Sequence, residues 1–280
     1  MKELGSSVIT SWHAHGPSLH HVAVCQETGE LVAVMQATDR SFPQPSRRPD
    51  QCHFNLVVSP DHRRRGIGAA LYALVEEFAA KLRSRLIYTA YLEAASRSFL
   101  DKRGFDTLEV FQPSFVDLTS FDPDKFESCL RRVEAEGITL TTYSEVEDTE
   151  QHRRKLHDLE ERARASQPFR EVGPYIPEPF ETWERSFLAR DPKTTFLAIA
   201  GDEWVGVVTG LEWYFTGVCP DWQGKGIATA LKVRCLTEAK AQGMTVMQTE
   251  NHEDNHSMLA INRKLGFAFT DVETACVKRL

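Results

Sequence analysis

The sequence predicts two tandem domains, each mixing strands with helices and built around one repeated strand–loop–helix unit. Three observations carry this reading. The chain has 280 residues, enough for two domains, and its 41% hydrophobic content lets each bury a core of its own. Residues 54–78 (FNLVVSPDHRRRGIGAALYALVEEF) and 215–239 (FTGVCPDWQGKGIATALKVRCLTEA) share one order: a short apolar strand, a Pro turn, a basic Gly-rich loop and an amphipathic helix. Gly66 and Gly226 stand 160 residues apart, an offset too long for a solenoid repeat and suited to a duplicated domain.

A second echo supports the first, because Arg103-Gly104-Phe105 and Leu265-Gly266-Phe267 each close a short helix and open a strand. Phe121–Gly137 opens on Asp-Pro and ends in Gly, which marks a connecting helix. The expected domains are therefore residues 1–118, a connecting helix over 119–136, and residues 137–280. In the second copy the patterns predict a strand at Ile138–Tyr143, helices at Thr149–Ala165 and Pro179–Arg190, and strands at Thr195–Ala200, Glu203–Leu211, Trp213–Cys219 and Thr245–Thr249. In the first copy, Met1 lies so close before the strand His21–Gln26 that an opening strand and first helix are expected to be missing, leaving this copy truncated.

Composition narrows the function classes. A net charge of −7 argues against a nucleic-acid partner, so a basic run such as Arg63-Arg64-Arg65 needs a local purpose. The six cysteines are far apart, with no Cys/His cluster at zinc-ligand spacing, which predicts thiols in a reducing cytoplasm and no metal site. No segment reads as a secretory leader or a membrane span, so no membrane partner is expected.

A strand that runs through a Gly-rich turn into a helix N-terminus aims several unpaired N–H groups and the positive end of the helix dipole at one point. That arrangement holds a phosphate or diphosphate. The glycines let the backbone approach the anion, and Arg63–Arg65 or Lys225 add charge. No window supplies the G-x-x-x-x-G-K-[ST] of a P-loop. A dinucleotide G-x-G-x-x-G fails at Leu71.

The pattern that fits is [Q/R]-x-x-G-x-[G/A], present as Arg63-Arg64-Arg65-Gly66-Ile67-Gly68 and as Gln223-Gly224-Lys225-Gly226-Ile227-Ala228. Present twice, each time followed by a helix ending in Gly-Phe, it resembles the acyl-CoA loop of the GNAT acetyltransferase superfamily over nearly the whole chain. The resemblance implies an α+β fold in which each domain is a mixed, mostly antiparallel sheet flanked by helices and splayed between its fourth and fifth strands, with acetyl-CoA in the gap. The implied cofactor contacts in the second copy are Val218, Cys219, Gln223, Gly224, Lys225, Gly226, Ile227, Ala228, Thr229 and Asn255. In the first copy they are Val57, Val58, Arg63, Arg64, Arg65, Gly66, Ile67, Gly68 and Ala69. The tandem layout also resembles mycothiol synthase-like acetyltransferases, in which the C-terminal half is catalytic.

Acyl transfer to an amine needs a base, because a free alkylamine with a pKa near ~10.4 is mostly protonated at neutral pH. Six residues before Val218 stands Glu212, the offset at which family members that use a strand glutamate carry theirs; Cys52 stands at that offset before Val58. Glu250, expected at the end of the fifth strand, is the second candidate, with Glu93 as its first-copy counterpart. Many relatives carry a tyrosine acid four residues before Gly-Phe; here Asn262 and Leu100 stand there, so the general acid is left unassigned, with Tyr214 or solvent as alternatives. The tetrahedral oxyanion is expected on the N–H of Val218 or Cys219.

The acceptor is expected to be a small-molecule amine, and the resemblance implies that it is recognised by the loop Ser166–Phe180 and the opposing sheet face; Phe169, Tyr175, Phe180 and Trp183 either wall a pocket or form plain core, and Arg170 and Glu171 either read a charged acceptor or face water. The protein is expected to be a monomer or homodimer. A non-catalytic acyl-CoA sensor is the competing reading.

Overall fold

In the computed structural model, residues 5–9, 18–39, 50–168, 175–211 and 215–280 are described. They divide into two compact units, one of residues 1–110 with 273–280 and one of residues 111–272.

The first unit carries β1 (Gly5–Ile9), β2 (Ser18–Val24), β3 (Leu31–Thr38), β4 (Gln51–Val58), α1 (Ile67–Lys81), β5 (Leu86–Tyr91) and α2 (Ala94–Asp101). β6 (Asp106–Asp117) begins in this unit, and the last strand of the chain, here called the closing strand (Glu273–Arg279), completes it. The sheet runs β1-β2-β3-β4-β5-closing strand, antiparallel except for β4 and β5. The opening strand expected to be missing is thus present, with Gly5 opposite Val24 and Ile9 opposite His20. α1 covers one face, burying Ile67, Leu71, Tyr72, Val75 and Ala79 against Val32, Phe54 and Ile87.

The second unit continues with the later half of β6, then α3 (Glu127–Ala135), β7 (Ile138–Thr142), α4 (Glu150–Ala165), α5 (Phe180–Phe187), β8 (Thr195–Ala200), β9 (Glu203–Thr209) and β10 (Phe215–Val218). α6 (Ile227–Ala241), β11 (Val246–His252), α7 (His256–Lys264) and β12 (Ala268–Phe269) follow, and the closing strand of the first unit is β13. Helix starts obey local chemistry: Asp122 accepts from Asp124 N–H ahead of α3, and Thr149 accepts from His152 N–H at 3.1 Å to cap α4. β10-β9-β8-β7 form an antiparallel four-stranded sheet. α6 packs on one face with Phe196, Ala198 and Val205, while α4 and α5 pack on the other with Leu197, Trp204 and Val207.

The division differs from boundaries at 118 and 137, because strand pairing ignores them. Phe111–Asp117 of β6 pairs with β11 in the second unit, and β13 pairs with β5 in the first, from Thr274 opposite Tyr91 to Arg279 opposite Leu86. β6 and β13 thus each pair with a strand that the order of the repeats assigns to the other copy.

Candidate active site

In both units the strand that leads into the Gly-rich loop has one open edge. β4 pairs with β5 only through Gln51, Cys52 and His53, and the last tie is Thr89 Oγ1–H to the carbonyl of Phe54 at 2.8 Å; beyond it the strands diverge. β10 ends its four-stranded sheet while β11 lies in another, so among the described residues the edge of β10 away from β9 has no strand partner.

Backbone alternation decides which groups face the gap. Cys219 N–H donates to Val205 O at 2.9 Å, across to β9. Neighbouring residues of an antiparallel strand point their backbone groups to opposite edges, so Val218 presents its N–H and C=O to the open side. That carbonyl accepts the side-chain amide of Gln223 at 3.2 Å. The first unit repeats the design: Ser59 N–H bonds Val32 O at 2.8 Å, and Arg63 Nε–H bonds Val58 O at 3.0 Å. Of the two oxyanion donors expected, Cys219 N–H is therefore already engaged within the sheet, and Val218 N–H is the one aimed at the gap.

The loop that follows has the geometry its glycines require. A Pro-led turn (Pro220–Trp222) ends β10, and Gly226 caps α6 in the left-handed region with φ 88°, a conformation that strains any residue with a Cβ. Gly66 does the same for α1 at φ 89°. The first helical bond of α6 is Ala230 N–H to Gly226 O at 3.0 Å, so the amides of Ile227, Ala228 and Thr229 precede any helical acceptor and fan out at the helix N-terminus. These groups, with Val218, fit the diphosphate and pantetheine arm of an acyl-CoA. Gly217 serves a different need: a Cβ there would run into Ala163 of α4, so its absence lets α4 lie against β10.

The charged side chains are distributed unlike the simple expectation. Arg63 is clamped by the Glu93 carboxylate, at 2.8 Å from Nη1 to Oε2, and this pairing holds the Glu93 carboxyl below its ordinary value. Lys225 Nζ reaches Glu136 at 3.3 Å and lies over the Trp222 ring. Asn255 caps α7 by accepting Met258 N–H at 3.3 Å. Glu250 is not at a strand end: β11 runs on to His252, and Glu250 sits inside it, opposite Pro113 on the exposed side.

Glu212, Trp213 and Tyr214 lie outside the described residues, as do Phe169, Arg170 and Glu171. In the first unit Cys52, at the position matching Glu212, is fully buried, and burial pushes its thiol up to about 12, so it is neutral and cannot accept a proton at physiological pH. Asn262 is buried, donates Nδ2–H to Asn251 Oδ1 at 2.7 Å, and among the described residues its Oδ1 has no partner. Trp183 and Phe180 belong to the core: Trp183 stacks on Phe187 with centroids 4.8 Å apart and donates Nε1–H to Glu160 at 3.2 Å.

Two polar side chains of the second unit give no signal in the sequence. Glu160, 1% exposed, is held by Trp183, Arg164 and Arg190. Lys232, also 1% exposed, lies over the Phe267 ring at 5.1 Å with Nζ 4.0 Å from Met258 Sδ, and burial lowers it to about 7. Its place in the repeat is that of Tyr72 in α1, 160 residues earlier, but that match does not say that the lysine is buried.

Among the described residues no helix is long and apolar enough to cross a membrane, and no His, Cys, Asp and Glu cluster could hold a metal ion.

Comparison with known proteins agrees with this geometry. The model of the "Acetyltransferase (GNAT) family" matches residues 3–105 and again 140–267. A mycothiol acetyltransferase of Streptomyces scabiei is 28% identical over 231 residues, covering 76% of this chain and 67% of that protein. A GCN5-related N-acetyltransferase from Sphaerobacter thermophilus superposes with a TM-score of 0.73 at 20% identity, covering 93% of this chain and 80% of that one. A tandem GNAT protein from the clavulanic acid biosynthesis pathway does so with a TM-score of 0.67 at 20% identity, covering 94% and 83%. With two copies of the splayed sheet and its glycine loop, both matched by the family model, this chain belongs to the GNAT acetyltransferase family.

Proposed function

We propose that the second unit moves an acetyl group from acetyl-CoA to a primary amine of a small molecule. The observation that carries this is the conjunction at one point of the open edge at Val218 with the amides that start α6 beyond Gly226. Diphosphate would sit on the amides that start α6, pantetheine would add to the open edge of β10, and the thioester carbonyl would meet Val218 N–H. Glu212 is the base in this reading, drawing a proton from the attacking amine directly or through water, with Glu250 as the second candidate. The carbonyl carbon gains the C–N bond and then loses the C–S bond, and CoA leaves as thiolate or thiol. With Asn262 in place of a tyrosine, a thiolate whose pKa is near ~8.5 departs with solvent as the proton source.

The neutral, buried Cys52 supports a non-catalytic first unit that still has the loop to hold a CoA. The S. scabiei relative's name, mycothiol acetyltransferase, supports acetyl transfer; its acceptor is not carried over. A second reading, an acyl-CoA sensor without turnover, is favoured by Asn262 alone.

The test is release of CoA thiol from acetyl-CoA across a panel of primary amines, with the unaltered protein and Glu212→Gln. Turnover that drops at least ~100-fold in Glu212→Gln supports the assignment, in line with the usual worth of a general base. Tight acetyl-CoA binding with no turnover on any amine moves the assignment to the sensor.

A further inference from the structure

We propose that Arg132, on the connecting helix, is a phosphate-binding residue of the second unit's loop. This rests on the acetyl-CoA reading of that loop and adds a residue that lies outside the loop motif.

α3 packs against the start of α6 within the second unit. Cys129 Sγ lies 3.9 Å from Gly226 O, and a Cβ built on Gly226 would stand 2.9 Å from Arg132 Nη2, 3.7 Å from Cys129 Sγ and 3.8 Å from Val133 Cγ2. The guanidinium therefore rests on the glycine that caps α6. It is exposed, and among the described residues it makes no hydrogen bond or ion pair, whereas its neighbour Arg131 is paired with Glu127 at 2.7 Å. The loop's own cation, Lys225, is turned to Glu136.

The first unit provides the contrast. Its loop carries Arg64 and Arg65 within the motif, and among the described residues nothing lies within 4 Å of a Cβ built on Gly66. Gln223, Gly224 and Lys225 stand where the first loop has Arg63, Arg64 and Arg65, so the second loop has two positive charges fewer, and α3 supplies one from outside. A planar guanidinium beside a fan of amides binds a diphosphate through charge-assisted hydrogen bonds, a geometry in which lysine is a poorer substitute.

The experiment is calorimetric titration of CoA, and of pantetheine, which lacks the diphosphate, into the full chain and its Arg132→Gln and Arg132→Lys variants. If both loops bind, the second unit's site is the one that Gly226→Val removes. Arg132→Gln is expected to weaken CoA at that site at least ~10-fold, the worth of a hydrogen bond to a charged group, to leave pantetheine unchanged, and to be partly rescued by Arg132→Lys. CoA affinity within about twofold of the unaltered protein overturns the role of Arg132 while the loop reading stands. Equal weakening of CoA and pantetheine also overturns it, since that marks a structural effect. Failure of the unaltered protein to bind CoA at all overturns both readings.

Discussion

Gln223 donates its amide to the carbonyl of Val218 at 3.2 Å, and Arg63 repeats the contact with Val58 at 3.0 Å. The first residue of each loop motif thus ties the loop to the end of the splayed strand from which it departs. Gln223→Ala removes one hydrogen bond at a partly buried carbonyl, so stability should fall by about 1 kcal/mol. The freed strand end should also raise KM for acetyl-CoA several-fold with little change in kcat. Arg63→Ala should cost comparable stability and leave KM alone, because its strand belongs to the first unit. Denaturant melts together with initial rates check both halves of this expectation.

Lys232 gives the second unit a pH signature. Its folded value of about 7 lies below the ordinary 10.5, so between those values the unfolded chain holds a proton that the folded chain does not. Stability should therefore rise with pH across that window, and below pH 7 the whole cost is present. Lys232→Met keeps the stem beside Met258 and Phe267 and removes the charge. It should stabilise by a few kcal/mol at neutral pH, since each tenfold loss of proton affinity on folding corresponds to at most about 1.4 kcal/mol, and it should flatten the pH dependence. Urea melts at several pH values between about 6 and 10 read this directly. A destabilised Lys232→Met would show that the ammonium is held by favourable contacts.

His53 sets a separate window in the first unit. Buried against Tyr88, with Nε2 3.2 Å from Gln51 Oε1, it is lowered by burial from 6.5 to about 4. Here too the unfolded chain binds the extra proton, so stability is lost as pH falls from 6.5 towards 4 and is intact above 6.5. The loss should amount to at most about 3 kcal/mol. His53→Phe should remove this acid limb from the melting curve and leave the alkaline one due to Lys232 unchanged.

Much of this architecture is written locally. Gly66 and Gly226 must take up left-handed backbone wherever a helix starts that way, Pro60 and Pro220 must end their strands, and Thr149 caps its helix through its own hydroxyl. These signals sit within a few residues of their effects, so the repeat, the loops and most helices are legible. Partner choice between strands is not local. The run Asp106–Asp117 reads as one strand, and nothing in its alternation says that its later half pairs with β11. Gly5–Ile9 is too short and serine-rich to announce itself, and its register with β2 is what makes it a strand. Lys232 and Arg132 look like any solvated helix cations; only packing shows one buried under Phe267 and the other laid on Gly226.

The exchange of closing strands makes a prediction that separates the units. β13 buries Ala275, Cys276 and Val277 and pairs with β5 along six residues, so removing Glu273–Leu280 strips the first unit of a core strand. The second unit keeps every strand assigned to it. Hydrogen exchange should then accelerate at β4 and β5, Gln51–Val58 and Leu86–Tyr91, towards that of an unfolded chain, while β9 and α6 stay protected. The complementary fragment beginning at Gly137 keeps β13 yet lacks Phe111–Asp117, the partner of β11, and should fail to give cooperative unfolding. Undiminished protection of Leu86–Tyr91 after the truncation would mean that β13 is dispensable to the first sheet, and that the boundary expected from the repeats marks the real folding units.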